Sequence, residues 1–184
     1  MKSSAVRGRT RIKFKSIAQQ PNVEKFRVRV QYQDRRRAIV SKPVRIQVWS
    51  WVQLREFPAY QDTPGVRLGA APIAGRTYEA WGPETYYPTR SWESRHTPGR
   101  NCKAFRGVAG LNDASADGSV GSIQLFADDA PVWTSPALTP GIAVPFEIPL
   151  AMPYRFALLA TNTSAPSVKS FPAIGDPELL CTGL

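Results

Sequence analysis

Apolar and polar residues alternate with a period of two along much of this 184-residue chain. Ile12 and Phe14 interleave with Arg11, Lys13 and Lys15, and Phe26, Val28, Val30 and Tyr32 interleave with Lys25, Arg27, Arg29, Gln31 and Gln33. Val44, Ile46 and Val48 do the same with Arg45 and Gln47. This period predicts antiparallel strands with one covered face. Pro21-Asn22 marks one connection, and residues 33–37 read as a hairpin tip. Further strands are expected at Arg76–Trp81, Cys102–Gly110, Ser119–Ala127, Ala130–Ser135, Val144–Ile148 and Tyr154–Thr161, with a last one near Glu178–Cys181. Asp128-Asp129 separates two of them and predicts a hairpin turn. No stretch has a convincing helical period, and the 17 prolines and 13 glycines are spread through the chain. Punctuation of that kind favours many short strands. The expected fold is all-β, a β-sandwich or jelly roll.

Composition divides the chain in two. Residues 1–46 carry 14 of the 24 Lys and Arg and two acids, Glu24 and Asp34, for a net of +12. The rest of the chain is left with a net of −2, so the formal +10 belongs to the first quarter. From Trp49 onward Pro, Gly, aromatic and acidic residues take over, and Gln47–Leu54 reads as the passage between two parts. The expected domains are a basic antiparallel β-segment at 1–48 and a larger β-domain at 49–184. The few strands of the first part do not close a core unaided. It reads as the tail of an immunoglobulin-like or fibronectin-like sandwich, or as an extension packed on the larger domain. Its charge suits an anionic polymer, and it equally suits a solvated sheet face that discourages edge pairing. Nucleic acid is disfavoured, because no recognition helix or RNA-binding motif accompanies the charge. No run reaches the roughly 18 apolar residues that membrane insertion by a helix requires.

Cys102 and Cys181 stand at the two ends of one stretch of predicted strands. That placement favours a disulfide, and hence an oxidising compartment, although two buried thiols read the same way. The basic start, Met1–Arg11, has no apolar stretch behind it and does not read as a secretory signal. An extracellular or cell-surface setting therefore expects the signal, with any preceding domains, to lie outside this chain.

Several short phrases resemble a known family. They are Gly75-Arg76-Thr77-Tyr78, then Cys102-Lys103-Ala104-Phe105 leading into Val108-Ala109-Gly110-Leu111-Asn112-Asp113. Gly118-Ser119-Val120, the strand ending at Asp128-Asp129, and Gly175-Asp176-Pro177 complete the set. Over about Leu54–Leu184 the chain resembles the NPCBM family, also called NEW2-type domains, found on glycoside hydrolases and bacterial secreted proteins. The resemblance implies a galactose-binding-like jelly roll and a carbohydrate-binding role. Asn112-Asp113 stands where the family often has Asp-Asp, and the late loop Thr161–Phe171 lacks acidic residues. The basic amino-terminal segment falls outside the resemblance.

Sugar recognition needs flat apolar faces for the ring C–H groups and polar side chains that bracket the hydroxyls. Residues 78–95 hold both: Tyr78, Trp81, Glu84, Tyr86, Tyr87, Arg90, Trp92, Glu93 and Arg95. Pro83 and Pro88 predict a loop there, and loops at sandwich rims commonly bind. Some of these aromatics also suit a core, as does Trp133. Asn112, Asp113 and Asp117 offer oxygens for a structural calcium ion, but their spacing is not that of an EF-hand loop, and the same composition makes a turn. His96, the single histidine, reads as an exposed loop residue, and no Gly-x-Ser-x-Gly elbow accompanies it. Two cysteines and one histidine fall short of a structural zinc site. Asn162-Thr163-Ser164 fits a glycosylation sequon.

The expected function is non-catalytic: a carbohydrate-binding module of an extracellular or cell-surface protein, meeting a polysaccharide or cell-surface glycan through rim aromatics, with no cofactor. The rivals are a polyanion-binding surface protein driven by the basic segment, and a structural or adhesive β-module of a secreted protein or phage appendage.

Overall fold

The computed structural model describes residues 23–30, 38–85 and 89–182. Its strands are β1 (Val23–Phe26), β2 (Arg29–Val30), β3 (Ile39–Val40), β4 (Val44–Gln47), β5 (Ser50–Gln53), β6 (Gln61–Asp62), β7 (Val66–Ile73) and β8 (Arg76–Pro83). They continue with β9 (Ser91–His96), β10 (Cys102–Leu111), β11 (Gly121–Ala127), β12 (Ala130–Thr134), β13 (Ala143–Pro149), β14 (Phe156–Asn162) and β15 (Pro172–Cys181). A single 3-10 turn, Leu54–Glu56, comes after β5. The chain divides into two compact units, Met1–Val48 and Trp49–Leu184.

In the first unit β1 pairs with β4 and β2 with β3, each pair antiparallel. The alternation read from the sequence is present, yet Val28, Val30, Ile39, Val40, Val44 and Ile46 all remain exposed. A two-stranded pair is marginally stable at best by itself. The residues around Ile12 and the tip at 33–37 lie outside the described residues.

The second unit is a sandwich. One sheet runs β13-β10-β15-β8-β7, with β5 also paired to β15; the other runs β12-β11-β14-β9-β6. Their facing sides enclose Trp81, Trp92, Phe105, Phe156, Leu125, Leu158 and Ile174. The all-β sandwich expectation is met. A disulfide joins Cys102 to Cys181, directly opposite residues on β10 and β15. Asp128 and Asp129, both at positive φ, form the β11–β12 turn, as their residue types predict.

A smaller cluster lies on the far side of the first sheet. Trp81 and Ile174 are register partners in the main core, so the next pair, Ala80 and Gly175, faces away. There Ala71, Ile73, Tyr78, Ala80 and Ala173 pack together, with Val108 against them. The β7–β8 hairpin curls over this side. A side chain at Gly175 would strike the Tyr78 ring, and one at Gly110 would strike Ile73. Both positions need glycine for close approach rather than for backbone freedom.

The core contains one polar chain. Trp81 Nε1 donates to Ser94 Oγ at 2.8 Å, and Ser94 Oγ donates to Asp62. His96, 1 % exposed, has Nδ1 2.6 Å from the Phe57 carbonyl. A carbonyl only accepts, so the proton sits on Nδ1. The exposed-loop reading of His96 is thus corrected: it closes β9 with its ring inside. Desolvation pushes its pKa below the ordinary value, opposed by the Phe57 carbonyl and by Asp62. The unfolded chain takes up a proton near pH 6.5, and the folded chain does so only at lower pH. Stability is therefore complete above that value and declines as pH falls through it toward the folded pKa. Thermal melts from pH ~7 to ~5 should show a falling Tm that flattens in His96→Gln, and an unchanged slope in the variant would contradict this.

Candidate functional site

The residues singled out between 78 and 95 do not form one patch, because a strand runs through them. Along β9 Trp92, Ser94 and His96 point inward, and Ser91, Glu93 and Arg95 point outward. Trp81 and Trp92 are 0 % and 1 % exposed, so neither offers a face for stacking. Tyr78 is buried against Gly175, with the Arg76 guanidinium 4.8 Å from its ring centre. Tyr86 and Tyr87 lie outside the described residues. Glu84, Arg90 and Arg95 reach the surface or its margin.

Glu84 and Arg90 bracket the connection from β8 to β9. The Glu84 amide donates to the Gly65 carbonyl at 2.7 Å, which ties the end of β8 to the turn before β7. Arg90 Nη2 donates to the carbonyls of Asn162 and Ser164, while its own carbonyl accepts from the Asn162 amide at 2.8 Å. Beyond it the late turn is braced from inside. Asn162 Nδ2 donates to the Val168 carbonyl, Asn162 Oδ1 accepts from the Ser164 amide, and Ser164 Oγ bonds both the N–H and the C=O of Val120. Asn162 is buried and its amide is engaged, so this sequon presents no free acceptor. The result is a firm rim at one end of the sandwich. Among the described residues, Arg90 keeps its Nε and Nη1 hydrogens without an acceptor.

Arg95 stands elsewhere, on the outer face of the second sheet. Its Nε donates to Glu93 at 2.8 Å, and Nη1 reaches Asp129 at 3.3 Å. Glu93 pushes the guanidinium pKa above its already high ordinary value. Half-exposed Tyr60 lies nearby, held by its amide to the Arg95 carbonyl, with Arg155 5.5 Å from its ring centre.

The calcium candidates make a turn. Asn112 Oδ1 accepts from the Ala114 amide and Asp113 Oδ2 from the Gly75 amide, both at 2.9 Å. Among the described residues no group of three or more His, Cys, Asp or Glu is placed to hold a metal ion. No described helix is long and apolar enough to cross a membrane.

Two features of the first sheet's outer side were not anticipated. Arg106 lies 4.0 Å from the Trp51 ring centre, and Lys103 lies 4.2 Å from that of Trp49. Beside them an open furrow of about 500 Å3 is lined by Arg106, Val108, Pro145, Glu147, Asp176 and Glu178. The Trp49-Ser50-Trp51 spacing was the available signal, since residues two apart in an extended chain share a side.

No family model matches the sequence, and no curated relative matches it. Solved structures do share the fold. The CBM51 module of Clostridium perfringens GH95, in complex with methyl-galactose, is 15% identical with a TM-score of 0.55, over 71% of this chain and 99% of that one. The CBM51-2 and INT domains of C. perfringens ZmpB, with GlcNAc bound to CBM51-2, are 13% identical with a TM-score of 0.55, over 88% of this chain and 38% of that one. The tandem CBM51 modules of Sp3GH98, a family 98 glycoside hydrolase from Streptococcus pneumoniae SP3-BS71, are 10% identical with a TM-score of 0.58, over 78% and 53%. At such identities the likeness is one of architecture: the chain shares the β-sandwich fold of these modules.

Proposed function

We propose that this chain is a non-catalytic carbohydrate-binding module, of the NPCBM type that residues 54–184 resemble. The observation that carries the reading is the shared sandwich, whose solved counterparts include one holding methyl-galactose and one holding GlcNAc. The binding end is the rim around Glu84 and Arg90. A braced turn fixes Arg90, so orienting a sugar hydroxyl costs little side-chain entropy. Tyr86 and Tyr87, in the connection between Glu84 and Arg90, supply the stacking faces. A buried disulfide suits the oxidising, extracellular or cell-surface setting in which such modules meet glycans. Contact with one or two sugars buries little area, so affinity per site is weak.

The test is calorimetric titration with galactose- and N-acetylglucosamine-bearing oligosaccharides. Tyr86→Ala with Tyr87→Ala should weaken binding at least about tenfold, and Arg90→Ala should weaken it several-fold, each with Tm held. Binding indifferent to all three substitutions would sink the rim assignment.

A second reading concerns the first unit. Lys25 and Arg45 stand directly opposite each other on β1 and β4. Like charges so placed are destabilising until an anion lies between them. An anionic polymer at this face would bind with steep salt dependence, whereas stacking at the rim would not.

A further inference from the structure

Three strands of the second sheet finish side by side at the end of the sandwich away from Arg90. His96, the last residue of β9, is in register with Phe156, the first of β14, and Phe156 with Ala127, the last of β11. The six residues of β9 put this end about 20 Å from the rim. The loops that leave here are bonded to one another. The Arg100 amide donates to the Pro153 carbonyl at 3.0 Å. Asp128 Oδ1 accepts from the amides of Tyr154 and Arg155, both at 2.9 Å, and the Asp128 amide donates to the Arg155 carbonyl at 3.0 Å.

The backbone here is strained. Among the described residues six non-glycine positions have positive φ, and Arg100, Asp128, Asp129 and Met152 fall in these loops. Aspartate takes that conformation readily in turns, whereas arginine and methionine do not. Met152 also precedes a proline, which restricts it further. Strain of this kind persists only where the surroundings enforce it, and it concentrates where ligands are held.

The side chains point the same way. Tyr60, Met152 and Tyr154 are about half exposed, three of the five large hydrophobics left uncovered among the described residues of the second unit. Arg95 is occupied by Glu93 and Asp129, and Asp128 by two amides. Arg155 stands 5.5 Å from the Tyr60 ring centre on a main chain tied at both its N–H and its C=O. Among the described residues Arg155 enters no ion pair, and neither does Arg100. An exposed aromatic ring thus lies beside a fixed cation that lacks an anion.

We infer that this three-loop end is a second binding site, separate from the rim, for a carboxylate-bearing sugar of the uronic acid class. Tyr60 supplies a face for ring C–H groups, and Arg155 meets the carboxylate, whose two oxygens match the guanidinium fork. The bonded loops hold Arg155 in advance, so little freedom is lost on binding. A neutral sugar leaves this cation unanswered. Only the choice of a saccharide rests on the carbohydrate-binding reading; the paired cation and ring do not.

The test titrates the full chain at low salt with a galacturonic acid trimer and with the galactose trimer of the same linkage. The expected result is uronate binding that weakens about tenfold in Arg155→Gln and several-fold in Tyr60→Ala, while galactose binding is unmoved by Arg155→Gln. Tm should hold in both variants, because Asp128 and the Arg95 carbonyl bind main-chain amides that the substitutions keep. Arg90→Ala should leave uronate binding in place, whereas it weakens galactose binding if the rim reading is right, so the two readings fail separately. Absence of uronate binding would overturn the inference. So would uronate binding indifferent to Arg155→Gln and Tyr60→Ala, the result that attachment to the basic first unit would give.

Discussion

Replacing both Cys102 and Cys181 by alanine is expected to cost the second unit about 4 kcal/mol. The bridge closes a sequence separation of 79, the whole path from the start of β10 to the end of β15. In the chain-entropy account a closure of that length removes much of the freedom of the unfolded chain. Its position adds to the effect. Cys181 is opposite Cys102 on one edge and Ser50 on the other, so the bridge secures three strands at one corner of the sheet. Chemical denaturation of the oxidised protein and of the double variant measures the difference through the shift in midpoint at constant slope. A loss below about 1 kcal/mol would mean that the unfolded chain is restrained by something else.

Trp81→Ala should cost about 3–5 kcal/mol, the usual range for a fully buried indole. This residue spans the space between the sheets, and its Nε1 is the donor that completes the chain through Ser94 to Asp62. Removal leaves a large cavity and takes from the Ser94 hydroxyl the N–H it accepts. Trp81→Phe separates the two effects, because it fills much of the volume but withdraws the donor, and should cost about 1–3 kcal/mol. It also separates core from site. The folded Trp81→Phe protein should bind glycans as the parent does, and a selective loss of binding with Tm unchanged would place Trp81 in the ligand contact after all.

Much of the architecture was legible in the sequence, because alternation and turn chemistry report directly on strands and hairpins. The strands at Cys102–Leu111, Gly121–Ala127, Ala130–Thr134 and Ala143–Pro149 follow from it closely. β9 escaped for a physical reason: its inward positions are Trp92, Ser94 and His96, two of them polar, so the apolar face that marks a strand was missing. Those polar side chains are inside because Trp81 and the Phe57 carbonyl satisfy them, a tertiary fact with no local trace. β15 was read only from Glu178 because Pro172, Gly175 and Pro177 look like a loop. They are tolerated where the strand changes partners.

The surface was harder to read. The aromatics of 78–95 looked like a stacking platform by composition, yet Trp81 and Trp92 alternate inward on their own strands. Arg90 was legible as a polar bracket, but its bracing by Asn162 and Ser164 comes from a turn some 70 residues away.

The most direct measurement of the central claim is binding of the intact chain to a panel of neutral galactose- and N-acetylhexosamine-bearing glycans, at low and at high salt. The account predicts weak binding to at least one of them that persists at high salt and is lost in Tyr86→Ala with Tyr87→Ala. Absence of neutral-glycan binding at either salt would contradict it, and so would binding that salt abolishes.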